Sequence, residues 1–284
     1  MTTRIVIGAS TWRDYNFLAP LTGFCWRELI GYEPFFLLAG DWSSPEPKRV
    51  QVVKSALKAQ SFEWVELGIM RGHSEAALAQ NSRQHAAALP FTDETWLVPS
   101  DADLWPIRRE FYQRHEQVGP EIRAVCYYAN GDHGQSYPTC HTALRAATWR
   151  ELYGIAPNGD VVGHTNRSLM DWLGKSPQYL GAKDRNMAYW CSDQWMATEK
   201  IRSAPWYPQG VVEIPRLGHP PADRLDRSAW PKDSYVASGY VDAHMPKAPD
   251  GDTGWPKVRG LLEKLLPKHV AWAEEYRGRY RAGY

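Results

Sequence analysis

The sequence predicts one α/β domain in which a mostly parallel sheet carries helices on both faces. Through the first 130 residues, apolar β-branched runs alternate with segments whose apolar residues recur at helical spacing, and this alternation is typical of parallel strands. A chain of 284 residues that is 43% hydrophobic and 23% charged is long and apolar enough to bury a sizeable core. Its formal charge of +1 gives no whole-molecule field that would gather nucleic acid or acidic lipid.

In chain order, the first half is predicted to contain five strands separated by helices. Apolar runs followed by glycine or turn residues predict strands at residues 4–9, 35–38, 62–67, 95–98 and 123–128. Helical spacing of apolar residues, with proline or serine near the start and glycine after the end, predicts helices at residues 22–30, 47–57, 74–89 and 106–112.

Residues 131–284 form a less regular second half of the same domain. Helices are expected at residues 142–153, 166–173, 192–202 and 258–266, and short strands at residues 211–214 and 235–241. The final residues interleave tyrosine with arginine. We expect a frayed C-terminus there, with contact to a polyanionic acceptor as the alternative.

Several classes of protein are disfavoured by what the sequence lacks. The four cysteines are far apart, so neither a zinc site nor a disulfide framework is indicated, and reduced thiols in a cytoplasmic protein are expected. No apolar run reaches membrane-spanning length. The phosphate-binding loop, the dinucleotide fingerprint, the zinc-protease helix motif and the hydrolase nucleophile elbow are absent from the sequence.

The most informative segment places two aspartates directly after a strand. Asp101 and Asp103 follow the run Trp96-Leu97-Val98 at i and i+2, where ligands bind in open α/β sheets. Neighbouring carboxylates repel each other and therefore favour a bound cation. Mg²⁺ and Mn²⁺ prefer such oxygen ligands and leave positions for substrate phosphates. The alternative is a pair of solvated turn aspartates, or a helix cap before Pro106.

This D-x-D after the fourth strand resembles the nucleotide-sugar-dependent glycosyltransferases of the GT-A fold. Four further stretches are similar to segments of those enzymes: residues 74–83, 138–141, 149–151 and 189–194. Two more, residues 223–230 and 240–244, are similar to small viral and phage members. The resemblance implies a nucleotide-sugar-binding half at residues 1–130 and an acceptor-side half at residues 131–284. The first strand ends in Gly8-Ala9-Ser10-Thr11-Trp12-Arg13 instead of the common Pro-x-Tyr-Asn opening, which leaves the exact family and the nucleotide open.

The resemblance also implies a reaction. A nucleoside-diphosphate sugar, with a UDP-sugar as the first candidate, would pass its sugar to an acceptor hydroxyl with the help of Mn²⁺ or Mg²⁺. Asp101, Asp103 and the C-terminal His244 would hold the metal, and His219 competes with His244 for that role. Asp193, at the start of a predicted helix, would act as the general base of an inverting transfer, although a plain helix cap explains its position equally well.

Six further residues are implied contacts of the donor. Arg83 would pair with the diphosphate or stack on the base, and Arg224 and Arg227 would close over the diphosphate. The nucleoside would lie near Thr11, Arg13 and Asp41, at the ends of the first two strands. For each of these, a solvated surface side chain or a turn residue is the alternative.

Trp105, Trp190 and Trp195 are expected to form a wall for the sugar or acceptor. The acceptor is predicted to be a glycan, a protein or a hydroxymethylated DNA base, with no membrane partner. Two other classes of function stay open: a nucleotidyltransferase that uses the same aspartates with Mg²⁺, and a non-enzymatic module that binds carbohydrate or DNA.

Overall fold

The computed structural model describes residues 2–70, 72–129, 136–175, 192–215, 223–231 and 236–283. Its strands are β1 Thr3–Ser10, β2 Glu33–Ala39, β3 Glu63–Gly68, β4 Trp96–Ser100, β5 Leu104–Pro106, β6 Ala124–Tyr127, β7 Thr142–Arg145, β8 Val211–Ile214, β9 Arg224–Leu225 and β10 Asp242–His244. Its α-helices are α1 Arg13–Cys25, α2 Lys48–Ala59, α3 Glu75–His85, α4 Arg109–Tyr112, α5 Ala146–Tyr153, α6 Val161–Lys175, α7 Ser192–Arg202, α8 Trp255–Leu265 and α9 Val270–Arg281.

The central sheet has seven strands in the order β3-β2-β1-β4-β7-β6-β8. The pairs that join β1, β2, β3 and β4 are parallel, as is β6 with β8, whereas β7 is antiparallel to both of its neighbours. This confirms the predicted mostly parallel sheet. The chain moves outward from β1 to β3 and then returns to the other side of β1 as β4, so a crevice opens at the carboxyl ends of β1 and β4.

Strand β1 lies in the middle of the sheet and is buried on both of its faces. Ile5 and Ile7 pack with Phe17 of α1 in one apolar core, whereas Val6 packs with Leu97 in a second core. Successive side chains of a strand point to opposite faces, so the two cores lie on opposite sides of the sheet. The predicted helix layers on both faces are therefore confirmed.

Helix α3 lies unusually close to β1. A Cβ atom on Gly8 would come within 1.9 Å of the Ala79 carbonyl oxygen, so only glycine allows this approach. The helix begins with Ser74, whose Oγ accepts a hydrogen bond from the Ala77 amide at 3.1 Å, a standard N-cap. The close packing brings the side chains of α3 over the carboxyl end of β1.

Two predicted helices begin as strands instead. The segment that starts at Pro106 was expected to be helical, but Pro106 ends β5 and pairs with Asp242 of β10 in a separate three-stranded sheet, β5-β10-β9. Similarly, residues 142–145 form β7, and the helix starts at Ala146. The fixed φ of proline suits a helix start and also an extended strand end, and a four-residue strand that is buried on both faces shows no alternating pattern.

Three other boundaries differ from the prediction. Helix α1 begins at Arg13, nine residues before the expected start, because Pro20 is accommodated inside the helix. The strand expected at residues 235–241 is wrong over its described part: residues 237–239 form a short 3₁₀ turn, and β10 begins at Asp242. The expected frayed C-terminus is also wrong, because α9 packs Tyr276 and Tyr280 against Phe17.

Among the described helices, none combines the length and apolar character that crossing a membrane requires.

Candidate functional site

A cavity of about 260 Å³ opens at the crevice between β1 and β4. Its wall combines the ends of β1 and β4, one face of α3, the start of α7 and the small sheet. The residues that line it are Gly8, Ser10, Tyr15, Ala76, Ala79, Gln80, Arg83, Asp101, Ala102, Asp103, Leu104, Tyr128, Pro138, Cys140, Asp193, Gln194, Arg224, Arg227 and His244. Seven of the predicted site residues are in this set, although they come from segments up to 161 positions apart in sequence.

Arg83 is the buried cation at the centre of the cavity wall. It is 3% exposed, and its guanidinium forms ion pairs with Asp101 through Nη1 and with Asp193 through Nη2, the latter at 2.8 Å. Burial alone would lower its pKa, but Asp101 and Asp193 together raise the pKa above the usual value. Arg83 is therefore a fixed positive charge that joins α3, the D-x-D turn and α7.

Asp193 is an almost fully buried carboxylate in the first turn of α7. Its Oδ1 accepts a hydrogen bond from Gln80 Nε2 at 2.7 Å, and its Oδ2 accepts one from Arg83. Burial raises the pKa of Asp193 to about 6, because desolvation outweighs the opposing effect of Arg83. Such a pKa suits a group that exchanges a proton near neutral pH, although both oxygens already have partners within the protein.

The two aspartates of the D-x-D face different partners. Burial would raise the pKa of Asp101, but the adjacent Arg83 guanidinium lowers it to about 2. The pKa of Asp103 is raised, mainly by burial, with the charge of Asp101 adding to the effect. Asp103 pairs with Arg227 at 2.5 Å and lies 3.3 Å from Nε2 of His244. The predicted solvated turn, offered as the alternative, does not describe Asp103, which is 4% exposed.

A second carboxylate lies behind His244. Nδ1 of His244 is 3.3 Å from Oδ2 of Asp226, and Asp226 Oδ1 accepts hydrogen bonds from the amide and hydroxyl of Ser228 at 2.9 and 2.6 Å. Burial would raise the pKa of Asp226, but the hydrogen bonds from Ser228 lower it to about 2. When Nδ1 carries the hydrogen and donates it to Asp226, Nε2 keeps its lone pair on the side of Asp103.

Arg224 is fixed by a buried network that the sequence did not reveal. Its Nε and Nη2 donate to Asp242 at 2.6 and 3.0 Å, and Nη2 also donates to Nε2 of His141 at 2.7 Å. Tyr112 donates to the same Asp242 carboxylate at 2.9 Å. Although burial would raise the pKa of Asp242, Arg224 lowers it. The guanidinium lies 5.2 Å from the ring centroid of Tyr128, which also lines the cavity.

Other predicted donor contacts lie at the same edge of the sheet but outside the cavity lining. Thr11 donates to Glu75 from both its amide and its hydroxyl. Asp41 is exposed and accepts hydrogen bonds from Ser43 and Ser44 in a local turn, and the Ser43 hydroxyl lowers its pKa. The side chain of Arg13, and the whole of Trp190 and His219, fall outside the described residues.

Trp105 does not form a sugar wall. It is fully buried, and its indole Nε1 donates to Thr22 Oγ1 at 3.1 Å on the α1 side of the fold. Trp195 packs against an apolar cluster and is not among the residues that line the cavity.

Several cavity residues were not named individually as site residues, although three of them lie in stretches that resemble the GT-A enzymes. Tyr15, Gln80, Tyr128, Cys140 and Gln194 line the cavity. Gln80 and Gln194 carry a signal that was available, since each lies within three positions of a predicted site residue. Cys140 lies in the resembling stretch at residues 138–141. Tyr128 ends a predicted strand whose apolar pattern indicates only core packing.

The donor atoms around Asp103 suit a hard or borderline divalent cation. Two cis ligands of an octahedral ion at about 2.1 Å lie about 3 Å apart, and Asp103 Oδ2 and His244 Nε2 are 3.3 Å apart. Asp226 supplies the carboxylate that commonly orients a ligating histidine. Asp101 is turned toward Arg83, and among the described residues no three acidic, histidine or cysteine side chains converge on one point. The spacing of Asp103 Oδ2 and His244 Nε2 suits two ligands of such a cation. Asp101 would join them only by rotating away from Arg83.

The charge of the site points the same way. The cavity wall and the side chains paired with it contain three guanidinium groups, those of Arg83, Arg224 and Arg227. They contain five carboxylates, those of Asp101, Asp103, Asp193, Asp226 and Asp242. The carboxylates of this cluster therefore outnumber its guanidinium groups by two. One divalent cation would balance this difference.

No known family model matches the sequence, and no curated protein matches it. Among solved structures, an active-site mutant of LgtC is similar, with a TM-score of 0.51 and 12% identity over 97% of this chain and 99% of that chain. A glycosyltransferase involved in glycosylation of the major capsid of PBCV-1 gives a TM-score of 0.40 and 10% identity over 92% of this chain and 98% of that one. Glucosyl-3-phosphoglycerate synthase from Mycobacterium tuberculosis was solved with Mn²⁺, UDP-glucose and phosphoglyceric acid. It gives a TM-score of 0.37 and 13% identity over 93% of this chain and 79% of that one.

At these identities the likeness concerns the fold. The seven-stranded, mostly parallel sheet with helices on both faces has the GT-A arrangement, which confirms the predicted fold class.

Proposed function

We propose that this protein is a glycosyltransferase that moves a sugar from a nucleoside-diphosphate sugar to an acceptor hydroxyl. The observation that carries the proposal is the cavity at the β1/β4 crevice of a GT-A fold, in which three guanidinium groups and the D-x-D carboxylates converge. Guanidinium groups match the geometry and charge of a diphosphate, and the crevice is where open α/β sheets bind nucleotides.

The arginines have separate tasks in this proposal. Arg224 is locked by Asp242 and His141, so it presents a fixed positive charge to the diphosphate. Arg83 is held by Asp101 and Asp193 and lines the same cavity, where it would pair with the diphosphate or stack on the base. Preorganised charges of this kind stabilise the negative charge that develops on the leaving diphosphate without further rearrangement. Thr11, Arg13 and Asp41 stay predicted contacts of the nucleoside.

Asp103 and His244 would hold a divalent cation, Mn²⁺ or Mg²⁺, with Asp101 as the third ligand. Bound there, the cation would supply charge neutralisation for the leaving diphosphate. Oδ2 of Asp226 lies 3.3 Å from Nδ1 of His244 and would orient the histidine, and Asp103 lines the cavity.

Asp193 is the carboxylate that we propose as the base for the acceptor hydroxyl in an inverting transfer. It lines the cavity, and its raised pKa of about 6 gives it affinity for a proton while leaving it mostly ionised at neutral pH. Its hydrogen bonds with Gln80 and Arg83 would have to leave one lone pair directed at the acceptor. The anomeric configuration of the first product, read by NMR, tests this assignment, and retention would overturn it.

The function is tested by donor binding and by the product released. UDP-sugars with Mn²⁺ should raise the unfolding temperature of the wild-type protein, and the D101N/D103N double variant should lose that shift. Asp252→Asn, which removes an exposed carboxylate paired with Arg277 and Arg281, is the matched control. Turnover should release UDP and should stop on chelation of divalent cations. Release of pyrophosphate from a nucleoside triphosphate would instead support the nucleotidyltransferase alternative.

A further inference from the structure

The guanidinium of Arg227 lies between the two side chains that are proposed to hold the cation. Its Nη2 donates to Asp103 Oδ2 at 2.5 Å and also to Nε2 of His244. Those two acceptor atoms are the pair with the cis-ligand spacing of 3.3 Å. A cation and a guanidinium nitrogen cannot share this position, because each requires the lone pair of Nε2 and the same carboxylate oxygen.

We propose that Arg227 and the divalent cation are alternative partners of the Asp103–His244 pair, and that Arg227 transfers to the donor diphosphate when the cation takes its place. This inference rests on the proposed function and adds a coupling residue to it. It makes binding of the cation and binding of the nucleoside diphosphate mutually dependent, since each releases or receives the same guanidinium.

Arg227 is the arginine of the cavity that is best placed to change partners. Arg83 is tied to Asp193, and Arg224 is tied to Asp242, whose side chains are 2% and 0% exposed. If Arg83 or Arg224 moved away from its carboxylate, that buried carboxylate would lose its partner, which costs several kcal/mol. The Arg227 side chain is 22% exposed, against 17% for Arg224 and 3% for Arg83. Its partner Asp103 is also buried, but Asp103 and His244 both line the cavity, where a cation could replace the guanidinium.

The chain around Arg227 keeps the rest of the site in place during the exchange. Asp226 and Ser228 are joined by a local turn with hydrogen bonds of 2.6 and 2.9 Å. Asp226 also holds Nδ1 of His244. Nδ1 also lies 3.3 Å from Nε of Arg227. When Nδ1 carries the hydrogen and donates it to Asp226, the histidine stays oriented whether its Nε2 faces a guanidinium or a cation.

Charge balance explains why the diphosphate would receive the released side chain. With Arg227 in place, the carboxylates of the cluster outnumber its guanidinium groups by two. A divalent cation bound to Asp103 Oδ2 and His244 Nε2 would take both acceptors of Arg227 Nη2, so the displaced guanidinium would lose its anionic partner there. A diphosphate in the cavity offers it bidentate oxygen acceptors.

Binding of Mn²⁺ alone, and then with saturating UDP, tests the inference by calorimetry and by the electron paramagnetic resonance signal of free Mn²⁺. We expect Arg227→Gln to bind Mn²⁺ about tenfold more tightly than the wild type when UDP is absent. In the wild type UDP should strengthen Mn²⁺ binding about tenfold or more, and this enhancement should shrink several-fold in the variant. Arg227→Met, which also lacks the guanidinium, should behave in the same way.

The matched control is Arg108→Gln, which removes the same charge from a residue outside the cavity lining. Within the part of the chain that the structure describes, the Arg108 guanidinium donates to the Ser238 and Gly239 carbonyls. It should bind Mn²⁺ like the wild type. Equal Mn²⁺ affinity in R227Q and R108Q would overturn the exchange, while Mn²⁺ binding to the wild type would leave the proposed function standing. Failure of all variants to bind Mn²⁺ with UDP present would overturn the cation site itself, and the exchange with it.

Discussion

At the scale of single residues, the two most buried arginines of the cavity each have a buried carboxylate of their own. Arg83 has Asp193, and Arg224 has Asp242. Because each pair is satisfied within the protein, its charges are held in fixed positions before any ligand arrives. Arg227 differs, since its partners Asp103 and His244 are the side chains of the proposed cation site. The site thus combines two static positive charges with one that can be exchanged.

The base role of Asp193 predicts a specific pH profile. Its pKa is raised to about 6 by burial, so the carboxylate is ionised above that pH and protonated below it, and kcat should fall as pH drops through about 6. Asp193→Asn should lower kcat by about 10² or more while UDP still binds. Initial rates measured from about pH 5 to about pH 8 check both expectations.

Gln80→Met is the matched control for this experiment. The Gln80 hydrogen bond lowers the pKa of Asp193, so its removal should shift the acidic limb of the profile to higher pH with little loss of maximal kcat. If D193N keeps kcat within a few-fold of the wild type, Asp193 serves only to hold Arg83.

At the scale of elements, the position of α3 over β1 decides where the cavity lies. The helix approaches so closely that the Ala79 carbonyl occupies the space of a side chain at Gly8. The same helix carries Gln80 and Arg83 into the cavity wall. A shift of α3 away from the sheet would therefore move the central guanidinium relative to the D-x-D turn on β4.

Gly8→Ala should accordingly be both destabilising and inactivating. Its Cβ would overlap the Ala79 carbonyl oxygen at 1.9 Å, and backbone atoms cannot rotate away, so we expect a loss of about 1–3 kcal/mol or more. Denaturant titration measures the loss. Gly260→Ala is the control: it lies inside α8 with nothing within 4 Å of the added Cβ, and should raise stability by about 0.5–1 kcal/mol. A G8A protein as stable as the wild type would contradict the close approach.

At the scale of the whole molecule, two buried histidines connect distant layers. His115 hydrogen-bonds Thr3 of β1 at 3.0 Å and Tyr127 of β6 at 2.9 Å. His85 joins α3 to Ser168 of α6 at 2.8 Å. Burial lowers the pKa of each histidine to about 4. Both must therefore stay neutral for the layers to remain packed.

The protein should consequently lose stability in mild acid. Between about pH 6.5 and about pH 4 the unfolded chain binds protons at these histidines and the native state does not, so the stability present above pH 6.5 falls as pH decreases. We expect a loss on the order of 1–3 kcal/mol for each histidine. Urea unfolding at several pH values measures it, and H85Q/H115Q should flatten the slope. Asp193 changes the pH dependence of stability in the opposite direction, but equally in the wild type and the double variant. If the stability of H85Q/H115Q depended on pH as steeply as that of the wild type, the two histidines would not be its cause.

The sequence by itself determined the sheet class, most strand positions and the edge that holds the site. Local hydrophobic runs and turn residues carry this information because burial and backbone propensity act over a few neighbouring residues. The D-x-D after β4 was visible for the same reason: Asp101 and Asp103 directly follow a buried strand. Their chemistry could be proposed before any distance was known.

Only the tertiary structure decided which partner each charged residue has. The pairing of Arg224 with Asp242 spans 18 positions, and that of Arg227 with Asp103 spans 124, so no local pattern encodes them. Pro106 became a strand end because β10 pairs with it, and α9 became part of the core because Phe17 and Tyr276 stack 5.2 Å apart. Long-range packing selects among locally acceptable conformations, and buried charges take the partner that packing brings within reach.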